Sequence, residues 1–177
     1  ALLSGEVDMI YAVPPQDIPR IKATPGLKLL QAPELRTIYL GFNQSRDELP
    51  SSDVKGKNPL RDQRVRMALA LAIDAPAISS RLMLGLGRPG WTMWGPGVNG
   101  YDAARDVRPT TDPAKARQLL AEAGYPDGFK LGLDCPNDRY VMDEQICTAL
   151  VPMLARIGVR VELSAQTKAK FFTKILA

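Results

Sequence analysis

The sequence contains no histidine. That removes the most common general base, the usual catalytic triads and most zinc or iron sites. It has two cysteines, Cys135 and Cys147, too few for a structural zinc site and not spaced as C-x-x-C. No apolar run approaches the roughly 18 residues needed to span a membrane, and no secretory signal peptide is present. Lysine and arginine give a net charge of +4, but they are scattered, with no basic stripe interleaved with aromatics. The charge is therefore read as solvated surface, and no nucleic-acid partner is expected.

What is present describes an ordinary globular chain. Apolar residues make up 45% and charged residues 24% of 177, enough for a sizeable core. The stretch "ALLSGEVDMI" reads as a last helical turn stopped by Gly5 and followed by a strand over residues 7–12. Pro14 and Pro15 open a short helix with Ile18 and Ile21 on its apolar face, and Pro25-Gly26 closes it. "LKLLQAP" and "RTIYLGFN" predict two consecutive strands, the second with Ile38, Leu40 and Phe42 on one face. Residues 44–61 are polar and rich in Ser, Pro and Gly, which predicts a surface loop.

Helical periodicity returns in "DQRVRMALALAID", where Val65, Leu69 and Ile73 form a stripe and Ala68 and Ala72 allow close packing. "APAISSRLMLGLG" predicts a second helix ending at Gly85 or Gly87. Residues 88–109 follow no regular period over most of their length and hold both tryptophans, Trp91 and Trp94, in a Gly/Pro-rich loop. In "TDPAKARQLLAEAGYPDG" Asp112 caps a helix that begins at Pro113 and stops at Gly124. Then come a strand, "FKLGLDC", a long helix over residues 142–156 kinked at Pro152, and a strand, "VRVELSAQ". The amphipathic helix "KAKFFTKILA" ends the sequence. Strand, helix, strand, helix is the α/β pattern, with parallel pairing across a crossover.

The phrases "LLSGEVDMI", "RTIYLGFNQ", "LRDQRVRMALALAID", "GLGRP", "TDPAKARQLLAEAGYPDGF" and "MLARIGVRVEL" stand here in a characteristic order. Together, over residues 2–172, they resemble the extracytoplasmic solute-binding proteins of peptide- and nickel-type ABC transporters, the oligopeptide- and dipeptide-binding class. The resemblance implies an α/β fold, a mixed sheet flanked by helices, forming one lobe of a two-lobed periplasmic-binding-protein type II-like architecture. It implies a monomer outside the cytoplasmic membrane that captures peptides or similar small solutes and delivers them to a membrane permease, with no cofactor and no metal. Residues 1–177 are expected to be a single lobe of a longer polypeptide, cut at both ends, its signal sequence lying outside this piece. In peptide-binding members an acidic partner of the peptide's amino terminus lies downstream of this stretch.

A binder that must release its cargo needs a polar and aromatic wall at strand ends, not a nucleophile with a base. Tyr11, Asn43, Asn137, Arg139 and Tyr140 occupy such strand ends, and Trp94 could add a flat apolar wall. Each also has a local reading: Asn43 as a strand terminator, Asn137 and Asp138 as backbone partners in a turn, Trp91 and Trp94 as packing groups. Arg139 and Tyr140 are not capping residues, which makes them the candidates with something to contact. Cys135 and Cys147 have three readings: a thiolate centre, two buried thiols, or a bridge. A thiolate centre without histidine would need a helix N-terminus, and a thiol-dependent enzyme using Cys135 is the rival function. The oxidising compartment that the resemblance implies makes the bridge the expectation. A sensory or chaperone-like relative is a further alternative that this part of the sequence does not separate from transport.

Overall fold

The computed structural model describes residues 1–176. The chain forms two compact units, Ala1–Leu35 and Arg36–Ala177.

In the first unit a 3-10 turn at Leu2–Ser4 closes on Gly5, whose φ of 75° gives it the left-handed stop expected at that position. A 3-10 turn at Pro15–Asp17 leads into α1 (Ile18–Ala23), and Ile21 is buried. Residues 7–12 are not a strand, contrary to the sequence pattern: among the described residues nothing pairs with them, and Met9 and Tyr11 are exposed.

The second unit is built on a β-α-β motif. β1 (Phe129–Pro136) and β2 (Val159–Gln166) pair in parallel, from Phe129 opposite Val159 to Pro136 opposite Gln166. α5 (Asp143–Ala155) connects them, and its Ile146, Leu150 and Leu154 are buried. The helix runs on through Pro152, which sits on the exposed face, where water can satisfy the carbonyl that loses its donor. Two further helices complete the core. α2 (Gln63–Ala72) starts where the Asp62 carboxylate accepts from Arg64 N at 2.8 Å. α4 (Pro113–Glu122) starts where Asp112 accepts from Lys115 N at 2.9 Å. Both are N-caps that satisfy otherwise orphaned donors. Ala68 and Ala116 are wholly buried where α2 and α4 pack together, and no larger side chain keeps their backbones apart. Leu69, Leu120, Phe129 and Val159 close the same core.

Gly128 and Gly158, one before each strand, approach closely at φ values of 72° and 86°. A Cβ on Gly128 would lie 2.0 Å from the Gly158 carbonyl oxygen. α6 (Lys168–Ile175) follows β2 and is tied to β1 by the Lys174–Asp134 ion pair at 2.6 Å. Among the described residues no helix is long and apolar enough to cross a membrane.

Two further sequence expectations are corrected. "LKLLQAP" and "RTIYLGFN" form no strands; the sheet among the described residues has two strands, plus one antiparallel bridge between Ser52 and Leu131. Alternation provides an apolar face, but a strand exists only through cross-strand hydrogen bonds. "APAISSRLMLGLG" begins as α3 (Ala75–Ala77), then widens into a π-turn over Ile78–Leu82. Ser80 Oγ donates back to Pro76 O at 2.9 Å and Ser79 Oγ donates to Gly87 O, drawing the chain out of a regular helix. Residues 44–61 lie mostly at the surface but are anchored by buried Leu49, Ser52 and Asn58. The Asn58 amide holds the carbonyls of Asn43 and Arg46, each at 2.9 Å.

Candidate functional site

β1 ends in a turn over residues 137–142 that carries three of the candidate residues. Asn137 N donates to Gln166 O at 3.0 Å, continuing the parallel ladder one residue past the strand, and the residue is exposed. Asp138 accepts from Lys168 N and so joins the turn to the start of α6. The organising group is Asp143, the first residue of α5, which is 6% exposed. One of its carboxylate oxygens accepts from Arg139 N and Tyr140 N, both at 2.9 Å, and the other accepts from Glu144 N at 2.9 Å. The carboxylate also lies at the positive end of the α5 dipole. Met142, at φ 58°, turns the chain into the helix. The backbone bonds of the turn are thus made locally, and the side chains of Arg139 and Tyr140 are left to point elsewhere.

The structure bonds Cys135 to Cys147, with Cα atoms 6.5 Å apart, within the span such a bond requires. This link joins the end of β1 to the second turn of α5, bracketing the turn from below. Cys135 is buried, so its sulphur lies away from the surface that carries Arg139.

Two guanidinium groups lie over the Tyr140 ring. Arg139 Cζ lies 5.0 Å from the ring centroid and Arg36 Cζ lies 5.8 Å from it. Both distances are within cation–π range. The next residue along, Thr37, donates through Oγ1 to Met93 O at 3.0 Å. The segment that opens the second unit therefore meets the Tyr140 ring at Arg36 and the tryptophan loop at Thr37. Asn43 lies further along that segment. Its amide oxygen accepts from Ser45 N at 3.2 Å and Ser45 Oγ at 2.9 Å, which makes it the start of a local turn. Tyr11 belongs to the first unit and is fully exposed there.

The loop of residues 88–109 is held by Asp106, whose side chain is 1% exposed. It accepts from Trp91 N at 2.6 Å, Thr92 N at 3.0 Å and Tyr101 Oη at 3.2 Å, and it pairs with Arg88. The Trp91 N–H, then the Arg88 guanidinium and the Thr92 N–H, hold this carboxyl well below the usual carboxylate range. Trp91 is held separately: Arg108 Cζ lies 5.7 Å from its ring while Arg108 Nη2 donates to Ala70 O at 2.9 Å. Trp94 is 58% exposed beside an open cleft of about 380 Å³, lined by Thr92, Met93, Trp94, Gly100, Asp102 and Arg105.

Arg139, Tyr140 and Trp94 are candidates in the sequence, whereas the groups that arrange them are not. Asp143 had a local signal, an acid in the first helical turn after a Pro-Asn-Asp turn. Arg36, Thr37 and Asp106 had none, because their partners lie 104, 56 and 15 residues away. Among the described residues no group of three metal-ligating side chains comes together.

The chain matches known proteins over almost its whole length. Heme-binding protein A of Haemophilus influenzae is 33% identical over 129 residues, which cover 73% of this chain and 21% of that protein. The glutathione-binding protein GsiB of Pectobacterium atrosepticum is 28% identical over 165 residues, 93% of this chain and 29% of that one. The solved structure of HbpA2 from Haemophilus parasuis aligns at a TM-score of 0.73 and 28% identity over 98% of this chain and 32% of that chain. This chain therefore spans less than a third of the length of these relatives. Residues 1–176 match the model of the bacterial extracellular solute-binding proteins, family 5 Middle, and the chain belongs to that family.

Proposed function

We propose that this chain is part of the cargo-binding component of an ABC importer, which captures peptides or similar small solutes outside the cytoplasmic membrane and delivers them to a permease. The observation that carries the reading is the exposed end of β1, where the Arg139 and Arg36 guanidinium groups lie over the Tyr140 ring, with the next residue, Thr37, bonded to the loop that holds Trp94. Guanidinium groups beside flat aromatic rings suit a ligand with a carboxylate at one end and an apolar or planar body. Glutathione and heme, for which two relatives are named, both bear carboxylates. Binding without catalysis is supported by the absence of histidine and by the sulphurs of Cys135 and Cys147 being bonded to each other, which leaves the rival thiol enzyme no nucleophile. The bonded cysteines also suit an oxidising, extracytoplasmic compartment.

In this reading residues 1–177 belong to one α/β lobe of a monomeric receptor, residues 44–61 form a surface loop, and residues 88–109 supply the aromatic wall. Asn43 and Asn137 are secondary contacts at the rim.

The test is native mass spectrometry of the full-length protein, purified without dialysis, beside its Arg139→Ala variant. The wild type should release a carboxylate-bearing solute that the variant retains at roughly a tenth of the occupancy or less, the loss expected for one charge-assisted pair. Equal retention by both proteins, or no solute in the wild type, would sink the reading.

A further inference from the structure

We propose that Asp106 is the positioning residue of the cleft beside Trp94: it ties the two walls together and thereby sets the placement of Trp91 to Trp94. The cleft has one wall at residues 92–94 and the other at residues 100–105. Asp106 reaches both. It accepts from the backbone of Trp91 and Thr92 at the root of the first wall, and from Tyr101 Oη between Gly100 and Asp102 of the second. Arg88, at the start of the loop, closes the set by pairing with the same carboxylate and reaching Tyr101 Oη at 3.4 Å.

A carboxylate with a 1% exposed side chain and four donors cannot be replaced by water without moving the loop. Residues 88–109 contain no helix or strand of their own; Thr37 holds Met93 O and Arg108 lies over Trp91, and Asp106 is the group that bonds to both walls of the cleft. Asp106 faces Arg88 as its charged partner and Tyr101 as its titratable neighbour, with the Trp91 and Thr92 amides completing the shell. It touches no ligand-facing surface itself and would act only through the wall it holds. That the wall contacts cargo rests on the function proposed above; that Asp106 sets its geometry does not.

Trp91 and Trp94 are the only tryptophans of the chain, so tryptophan fluorescence, excited selectively over that of the tyrosines, reports on this loop alone. Acrylamide quenching of the 177-residue chain tests the positioning directly. Asp106→Ala should raise the quenching constant about twofold as the loop loses its fixed geometry. Asp106→Asn should fall between that variant and the wild type, because its carbonyl oxygen still accepts from Trp91 and Thr92 while the pairing to Arg88 is gone. Arg88→Ala should behave like Asp106→Asn. A quenching constant unchanged from wild type in the folded Asp106→Ala protein overturns the proposal. If Asp106→Ala does not fold, wild-type quenching in both Asp106→Asn and Arg88→Ala overturns it. A glutathione titration of the full-length protein and its Asp106→Asn variant is scored separately. If quenching changes and glutathione affinity does not, Asp106 keeps its role and the assignment of this wall to cargo fails.

Discussion

Asp143 and Asp106 do the same physical work at two places: each buries a carboxylate to hold the backbone of an irregular loop. Replacing Asp143 by alanine leaves the N–H groups of Arg139, Tyr140 and Glu144 without their acceptor. The cost should be about 2 kcal/mol, read as a lower midpoint in thermal unfolding. Asp143→Asn, which keeps an acceptor oxygen, should lose less. For Asp106 the sign of the pH dependence follows from its depressed folded-state value. The contribution is complete above the ordinary value of 3.8, where the carboxyl is charged in both states, and is lost as pH falls below it. Tryptophan emission should stay constant from neutral pH down to 3.8 and shift only below; a shift centred well above 3.8 would mean that another group orders the loop. Arg139 and Tyr140 were legible as candidates because neither caps a helix. What they face was not legible, since Arg36 lies about a hundred residues earlier.

At the scale of elements, the link between β1 and α5 carries the turn. The Cys135–Cys147 bond closes a separation of 12 residues. A loop of that size should contribute about 3 kcal/mol through the unfolded chain, so Cys147→Ala should unfold at distinctly lower denaturant. Thiol titration of the denatured, unreduced protein should find no free thiol, and two reactive thiols would remove the bridge. At the other end of the strands, Gly128→Ala places a methyl group 2.0 Å from the Gly158 carbonyl oxygen, at a φ that side chains rarely adopt. It should cost more than about 2 kcal/mol, measured by chemical denaturation, because neither backbone can withdraw without breaking strand register. The helices α2, α4 and α5 were legible from caps and periodicity. "RTIYLGFN" was misread as a strand because alternation records a face and says nothing of a partner.

For the whole molecule, the core of the second unit should govern unfolding. Leu120 is 1% exposed between α4 and its neighbours, and Leu120→Ala should cost about 2–5 kcal/mol. The same substitution should leave acrylamide quenching of the tryptophans unchanged in the folded state, since Leu120 makes none of the bonds that hold the loop, which come from Asp106, Thr37 and Arg108.

The sequence by itself determined the β-α-β motif, the capped helices and the exclusion of histidine chemistry. Caps, glycine stops and apolar periods act over a few residues, and an absent residue type is absent from every conformation. Tertiary structure alone decided that Arg36 lies over Tyr140, that Thr37 holds the tryptophan loop and that Asp106 joins the walls of a cleft. Those contacts come from chain crossings between distant segments, and no local period or composition encodes which segments meet.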